Sequence, residues 1–135
     1  PWRNRMTPDP LVVEQRHHRG RMSFEAGQSA EYRIAQDYER RGFAIARRRW
    51  RGKGGEIDLI VQNGTGLVFV EVKKARCLAR AAESLSLRQM RRIALAAEEF
   101  MGTQPNGSLT PVRFDVALVD GQGQTQIIEN AFGQG

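Results

Sequence analysis

The sequence predicts an α/β fold, on three observations: a strand hairpin, two amphipathic helices and a strongly apolar third strand. Residues 56–62 and 67–73 alternate between apolar and polar side chains, as paired strands do. Apolar residues recur at helical spacing over 23–41 and 86–102. Residues 112–119, VRFDVALV, are typical of a buried strand. Helices that alternate with strands in this way favour a single α/β domain.

Length and composition fit that prediction. The chain has 135 residues, of which 40% are hydrophobic and 27% charged, so it can bury a real core. We expect a flexible basic arm over 1–22, a single domain over 23–132 and a frayed tail over 133–135. No stretch approaches the ~18 apolar residues of a membrane span and no signal peptide is visible, so we expect a cytoplasmic protein without a membrane partner. The single Cys77 excludes an internal disulfide and suits a reducing compartment.

The predicted hairpin is the most informative stretch. Its turn can centre on Asn63-Gly64 or on Gly64-Thr65, and both registers place the same side chains on the same face because they differ by two positions. One face is wholly apolar and comprises Ile57, Leu59, Val61, Val68, Val70 and Val72. The other face comprises Glu56, Asp58, Ile60, Phe69, Glu71 and Lys73. In the second register Asp58 lies directly opposite Glu71.

The second face carries a chemical pattern, D-x12-E-x-K. Asp58 and Glu71 would repel each other across the strands, and one would take up a proton unless a cation joined them. Mg²⁺ takes oxygen ligands and is often held by one or two carboxylates. Lys73 shares this face, where its ammonium could position a water or stabilise charge on a phosphate. The alternative is an exposed hairpin face with ordinary salt-bridging charges.

A further carboxylate lies on the first predicted helix. Ser23 can cap this helix and Gly42 can end it. Its core-facing stripe comprises Gly27, Ala30, Ile34, Ala35 and Tyr38. Glu31 lies in the same stripe and therefore needs a partner. Either it reaches solvent or pairs with an arginine, or it is a third acid aimed at the polar face of the hairpin.

The charge of the chain is strongly basic. The formal net charge is +6 with 21 basic residues, most of them arginine, which grips phosphate through two hydrogen bonds. A predicted strand over 43–50 alternates as Phe43, Ile45 and Arg47, and Trp50 is a candidate stacking residue. The candidate nucleic-acid-binding residues are Arg47, Arg48, Arg49, Arg51, Lys53, Lys74, Arg76, Arg88, Arg91 and Arg92. The alternative is a solvated edge protected by its basic side chains.

Two polar residues are candidates for accessory roles. Ser86 and Gln89 have capping-box spacing for the second helix, which alone explains Gln89, although its amide could also bond a nucleotide or a water. The apolar stripe of that helix comprises Met90, Ile93, Ala94, Ala97 and Met101. Asp115 lies inside the third strand, where it faces a solvated edge, anchors a basic residue or belongs to the site.

Five sequence blocks occur in a specific order. They are G-x-x-A-E-Y at 27–32, GEIDLI at 55–60, VFVEVKKA at 68–75, RFDVALV at 113–119 and IENAF at 128–132. In this order they resemble the YraN family of predicted endonucleases, which is related to archaeal Holliday junction resolvases. D…E-x-K is also the core of the PD-(D/E)xK nuclease superfamily. The resemblance implies a three-layer α/β/α fold with a central mixed sheet and a restriction-endonuclease-like core.

Carried over position by position, the resemblance implies that Asp58 and Glu71 are ligands of Mg²⁺ or Mn²⁺ and that Lys73 is the catalytic lysine. It also implies that Glu31 is the acid of the first helix that supports the metal. We therefore expect a metal-dependent endonuclease acting on DNA, branched or single-stranded. Family members often have Thr-Pro and then Lys before the second helix. This chain has Ser86-Leu87 and Gln89 there, so Arg88 would have to supply any phosphate contact.

Two other functions are compatible with the sequence. One is a non-catalytic nucleic-acid-binding module in DNA uptake, recombination or repair. The other is a structural protein whose basic faces meet an acidic partner. Metal-dependent cleavage separates the nuclease from the binding module, and salt-sensitive DNA binding separates both from the structural protein. The sequence leaves open which DNA structure is cut and whether two copies form a homodimer.

Overall fold

A five-stranded mixed sheet organises the computed structural model, which describes residues 30–82 and 85–132. In spatial order the strands are β1 (Ala44–Arg51), β2 (Glu56–Asn63), β3 (Gly66–Lys74), β4 (Val112–Val119) and β5 (Thr125–Ile128). The helices are α1 (30–40), α2 (Leu78–Ala82) and α3 (Leu87–Met101), with a 3₁₀ turn over Gly107–Leu109. The β3–β4 pair is parallel and its neighbours are antiparallel. The predicted α/β class with a mixed sheet is confirmed.

The β2–β3 hairpin adopts the second of the two predicted registers. Asn63 pairs with Gly66, so Gly64 and Thr65 form a two-residue turn. Gly64 has a φ of 64°, which glycine adopts without steric cost at the first central position of such a turn. The pairing runs back to Leu59 opposite Val70 and ends there. Asp58 and Glu71 are the next residues beyond this last pair.

Helices α1 and α3 pack on opposite faces of the sheet. Alternate residues of β3 enter different cores: Val68 and Val70 pack with α1, whereas Phe69 packs with α3. The buried α1 residues are Ala30, Ile34, Ala35 and Tyr38, as predicted, while Gly27 and Ser23 lie outside the described residues. The buried α3 residues are Ile93, Ala96, Ala97 and Phe100. The predicted α3 stripe therefore missed Ala96 and Phe100.

Strict alternation fails in β2. Ile57 was predicted to share a face with Leu59, but it packs in the α3-side core together with Ile60. Leu59 packs on the α1 side. Because the β2–β3 pairing ends at Leu59, the strand leaves its regular pleat there and the two-residue period no longer holds.

The predicted alternation in β1 is also wrong. Ile45 packs on the α1 side, but Arg47 places its guanidinium 5.8 Å from the centre of the Phe100 ring on the α3 side. The β1–β2 register shifts between Ile45 and Arg47, and Arg49 has a φ of 51°. A bulge of this kind inserts an extra residue, so side chains beyond it change face.

The predicted loop after β3 contains the short helix α2, whose five residues are too few to show a helical period. The predicted basic arm over 1–22 and the tail over 133–135 lie outside the described residues. Within the described part of the chain, no helix is long and apolar enough to cross a membrane.

Candidate functional site

Asp58 occupies the point where β2 and β3 part. Its Oδ2 accepts a hydrogen bond of 2.8 Å from the Val72 backbone N–H, so the carboxylate takes the place of a strand partner. Burial raises the pKa of Asp58 above its ordinary value, and the charge of Glu56 adds to this effect. The Val72 N–H acts in the opposite direction because it stabilises the ionised form.

Glu71 faces Asp58 across this gap and is only 7% exposed. Burial, followed by the negative charge of Asp58, raises the pKa of Glu71 to about 8. With its pKa raised in this way, Glu71 is largely protonated at neutral pH. The contact with Glu71 favours the ionised form of Asp58 and the neutral form of Glu71.

Lys73 lies beside this pair and is 1% exposed. Its Nζ is 3.7 Å from Oε2 of Glu71, and its charge lowers the pKa of both carboxyl groups. Lys74, next along β3, is half-buried. The structure therefore brings together Asp58, Glu71 and Lys73, with Lys73 far more enclosed than its neighbour.

Glu31 reaches the same region from α1. Burial and the charge of Asp58 raise its pKa to about 7, while Arg49 opposes the shift through an ion pair of 3.3 Å. Both sequence interpretations are thus partly met, since Glu31 pairs with an arginine and also lies close enough to Asp58 to feel its charge. Its part in metal binding stays a prediction.

The donor set of the site suits a hard divalent cation. Asp58 and Glu71 supply carboxyl oxygens, and a bound cation would displace the proton that the raised pKa keeps on Glu71 at neutral pH. Within residues 30–82 and 85–132, no three His, Cys, Asp or Glu side chains form a group that could hold a metal ion. Side chains would therefore give an ion two ligands, and water or backbone oxygens would supply the others.

Arg49 links the surrounding acids. Its guanidinium lies 3.3 Å from Glu31 and 3.5 Å from Glu56, and Arg51 also pairs with Glu56 at 3.7 Å. A φ of 51° is costly for a residue with a Cβ, and such strain concentrates at functional sites. Strand β1 therefore has this unusual conformation where it passes Glu31 and Glu56.

Among the predicted nucleic-acid-binding residues, Arg92 of α3 acts on Glu71. Its charge lowers the pKa of Glu71, and a Cβ on Gly55 would come within 2.9 Å of its Cγ. Gly55 thus leaves room for the Arg92 side chain beside the start of the hairpin. The remaining candidates on α3 and in the loops are exposed: Lys53, Arg76, Arg88 and Arg91.

Trp50 does not present a stacking surface. It is half-buried and packs edge-to-face on Phe100, with 5.3 Å between ring centres. Sequence reasoning missed Tyr32, which is 60% exposed and has the Arg48 guanidinium 5.3 Å from its ring centre. The available signal was its place beside Glu31 in the block at 27–32.

Asp115 anchors a basic residue, which was one of its three predicted roles. Arg113 donates two hydrogen bonds to it, of 2.8 and 2.9 Å, and the Tyr38 hydroxyl donates a third of 2.7 Å. Burial and this contact raise the pKa of Tyr38. Gln89 completes the capping box, since its Oε1 accepts from the Ser86 N–H at 3.0 Å.

Comparison with known proteins matches residues 30–119 to the "Uncharacterised protein family UPF0102". The chain belongs to the UPF0102 family. It is 59% identical over 117 residues to the UPF0102 protein SPO0400 of Ruegeria pomeroyi, covering 87% of this chain and 95% of that protein. A UPF0102 protein of Cereibacter sphaeroides is 55% identical over 113 residues, covering 84% and 97%. One from Roseobacter denitrificans is 49% identical over 120 residues, covering 89% and 93%.

Proposed function

We propose that this chain is a metal-dependent endonuclease that hydrolyses phosphodiester bonds in DNA. The observation that carries the proposal is the cluster of half-buried Asp58 with buried Glu71 and Lys73 where β2 and β3 part. Two carboxyl groups that face each other away from water are costly to keep ionised together without a matching cation. Strongly perturbed groups of this kind cluster at functional sites.

Asp58 and Glu71 would hold one or two Mg²⁺ or Mn²⁺ ions, with the Val72 carbonyl as a further oxygen and Glu31 as support from α1. Mg²⁺ often takes only one or two carboxylates from a protein and keeps several waters. When bound, the ion would lower the pKa of a water ligand and offset negative charge on the phosphate.

Lys73 acts on the reacting groups through its charge. Its Nζ lies 3.7 Å from Glu71, so the ammonium would be close to a phosphate held by a metal ion at that carboxylate. There it orients the attacking water or stabilises the charge that develops on the phosphate. Arg92 brings a second positive group from α3, and its charge already acts on Glu71.

The architecture supports the same proposal. Helices α1 and α3 pack on opposite faces of the mixed sheet, as in a three-layer α/β/α core of the restriction-endonuclease-like type. The three candidate residues come from two adjacent strands, and Glu31 comes from α1. We place the chain with the Holliday junction resolvase-like branch of the PD-(D/E)xK nucleases, on the motifs that resemble the YraN family.

A cleavage panel tests the proposal with linear, flapped and four-way DNA in the presence of Mg²⁺ or Mn²⁺. We expect the wild-type protein to cut at least one of these substrates and Asp58→Asn to lose the activity. Glu39→Gln is the matched control because it neutralises an exposed carboxylate on α1. DNA binding without cleavage of any substrate would contradict the proposal and favour a nucleic-acid-binding module.

A further inference from the structure

An exposed aromatic side chain lies at the edge of the cavity that contains Asp58. The cavity measures about 260 Å³ and is lined by Glu31, Tyr32, Arg48, Arg49, Asp58 and Leu59. Tyr32 is 60% exposed. Among the aromatic residues that the structure describes, it is the one in the exposed class, since the others are buried or half-buried in the cores.

The backbone of β1 is distorted where Arg48 and Arg49 line this cavity. In a regular strand Arg48 and Arg49 would point to opposite faces. Here both reach α1, because Arg48 lies over the Tyr32 ring at 5.3 Å and Arg49 pairs with Glu31 at 3.3 Å. The left-handed φ of 51° at Arg49 is what brings two consecutive arginines to one side.

The ring and the guanidinium together form a surface suited to a nucleobase. Bases stack on exposed aromatic rings, and guanidinium planes stack on bases as well as on aromatic rings. A volume of about 260 Å³ is enough to admit one nucleobase. A base inside a continuous duplex is covered on both faces by its neighbours, so it must leave the stack to reach this ring.

We propose that Tyr32 and Arg48 form a stacking platform for one unpaired nucleobase, next to the phosphate that lies at Asp58 and Glu71. The platform rests on the proposed nuclease function and names its substrate class, which is DNA with an unpaired or displaced nucleotide at the cut. Tyr32 is a positioning residue, because it holds the strand and does not touch the reacting atoms.

The test measures binding and cleavage separately on a fluorescently labelled flapped DNA. An abasic nucleotide is moved one position at a time through the arm and the junction. Affinity is measured by anisotropy with Ca²⁺, and single-turnover cleavage is measured with Mn²⁺. For wild type we expect one position at which the abasic DNA binds about tenfold more weakly than the intact DNA.

The variants then identify the side chain on which the base stacks. Tyr32→Ala should bring the ratio of intact to abasic affinity close to one, whereas Tyr32→Phe should keep it because the ring remains. Arg48→Ala should reduce the ratio. Arg40→Ala, which removes an exposed charge elsewhere on α1, should leave the ratio unchanged. The expected wild-type preference for unpaired DNA should disappear in Tyr32→Ala.

Each outcome separates the two proposals. A wild-type protein that cuts DNA but shows no abasic position, or a Tyr32→Ala variant that keeps the ratio, overturns the platform and leaves the nuclease intact. A wild-type protein that shows the abasic position but never cuts overturns the nuclease and supports the platform as a binding site. Absence of any DNA binding overturns both.

Discussion

Two buried carboxylate sites lie on neighbouring strands and differ in how their charge is balanced. In the parallel β3–β4 pairing, Asp115 lies opposite Val70, the residue before Glu71. Asp115 is fully buried and accepts two hydrogen bonds from Arg113, one from the Tyr38 hydroxyl and one from the Asn130 N–H.

The pair of Asp58 and Glu71 is held differently. Asp58 accepts from the Val72 N–H, and Glu71, whose pKa is raised to about 8, lies beside Lys73. A buried carboxylate whose donors are complete holds a fold together. The contrast agrees with a structural role for Asp115 and with the proposed metal-binding role of Asp58 and Glu71.

Removal of Asp115 should give the largest effect on stability. Asp115→Ala leaves the Arg113 guanidinium, the Tyr38 hydroxyl and the Asn130 N–H without their acceptor, so we expect a loss of about 3–5 kcal/mol in urea unfolding. Asp120→Ala is the control, because this carboxylate accepts two backbone N–H groups in an exposed turn and should cost about 1 kcal/mol. Equal losses would mean that the Asp115 network is not the structural anchor.

The next largest effect should be a difference in turnover between variants of the two lysines of β3. Lys73→Ala should reduce turnover by ~10²-fold or more, the range for one positioned transition-state contact, because this ammonium lies beside Glu71. Lys74→Ala should cost little turnover and a modest part of DNA affinity. The measurement is the single-turnover cleavage rate of labelled branched DNA at saturating protein, for both variants and for wild type. A larger loss from Lys74→Ala would place the active face on the other side of the strand.

The pH dependence of stability should reveal the raised pKa of Glu71. The folded protein holds a proton on Glu71 up to about pH 8, whereas the unfolded chain releases it near 4.5. The stabilisation is therefore complete below about pH 4.5 and is lost as the pH rises through about 8. With a chelator present, the stability of wild type should fall steadily relative to that of Glu71→Gln as the pH rises across this window. A constant difference between the two proteins would exclude a raised pKa at Glu71.

The smallest expected effect on stability comes from relief of backbone strain at Arg49. Arg49→Ala and Arg49→Gly remove the same ion pairs, but only glycine accepts a φ of 51° without strain. We expect Arg49→Gly to be more stable than Arg49→Ala by about 1 kcal/mol in thermal unfolding. The reverse order would show that β1 relaxes to an ordinary strand once the side chain is gone.

Regular alternation and spacing of residues in the sequence were enough to predict much of the fold. Polar and apolar alternation located β2 and β3, and the need for positive φ located their turn. The spacing of Ser86 and Gln89 located the start of α3, because a capping box is local chemistry. Asp58, Glu71 and Lys73 were placed together by register alone.

The parts that the sequence did not predict depend on irregular strand backbone and on contacts between distant elements. The sequence does not signal the register shift before Arg47 or the end of the β2–β3 pairing at Leu59, so the faces of Arg47 and Ile57 were predicted wrongly. Nor does it signal the left-handed φ of Arg49, so Tyr32 was overlooked. Trp50 looked available within a basic run, but its environment is set by the α3 residue Phe100, far away in sequence. Contacts between distant elements decide such positions.

Calorimetric titration of Mn²⁺ into wild type and Asp58→Asn tests the central claim most directly, with Glu39→Gln as the control for charge. Titration near pH 7 in two buffers of different ionisation enthalpy also counts the protons released. The account predicts that wild type and Glu39→Gln bind Mn²⁺ and release a proton, and that Asp58→Asn binds at least about tenfold more weakly. Unchanged Mn²⁺ affinity in Asp58→Asn would contradict it.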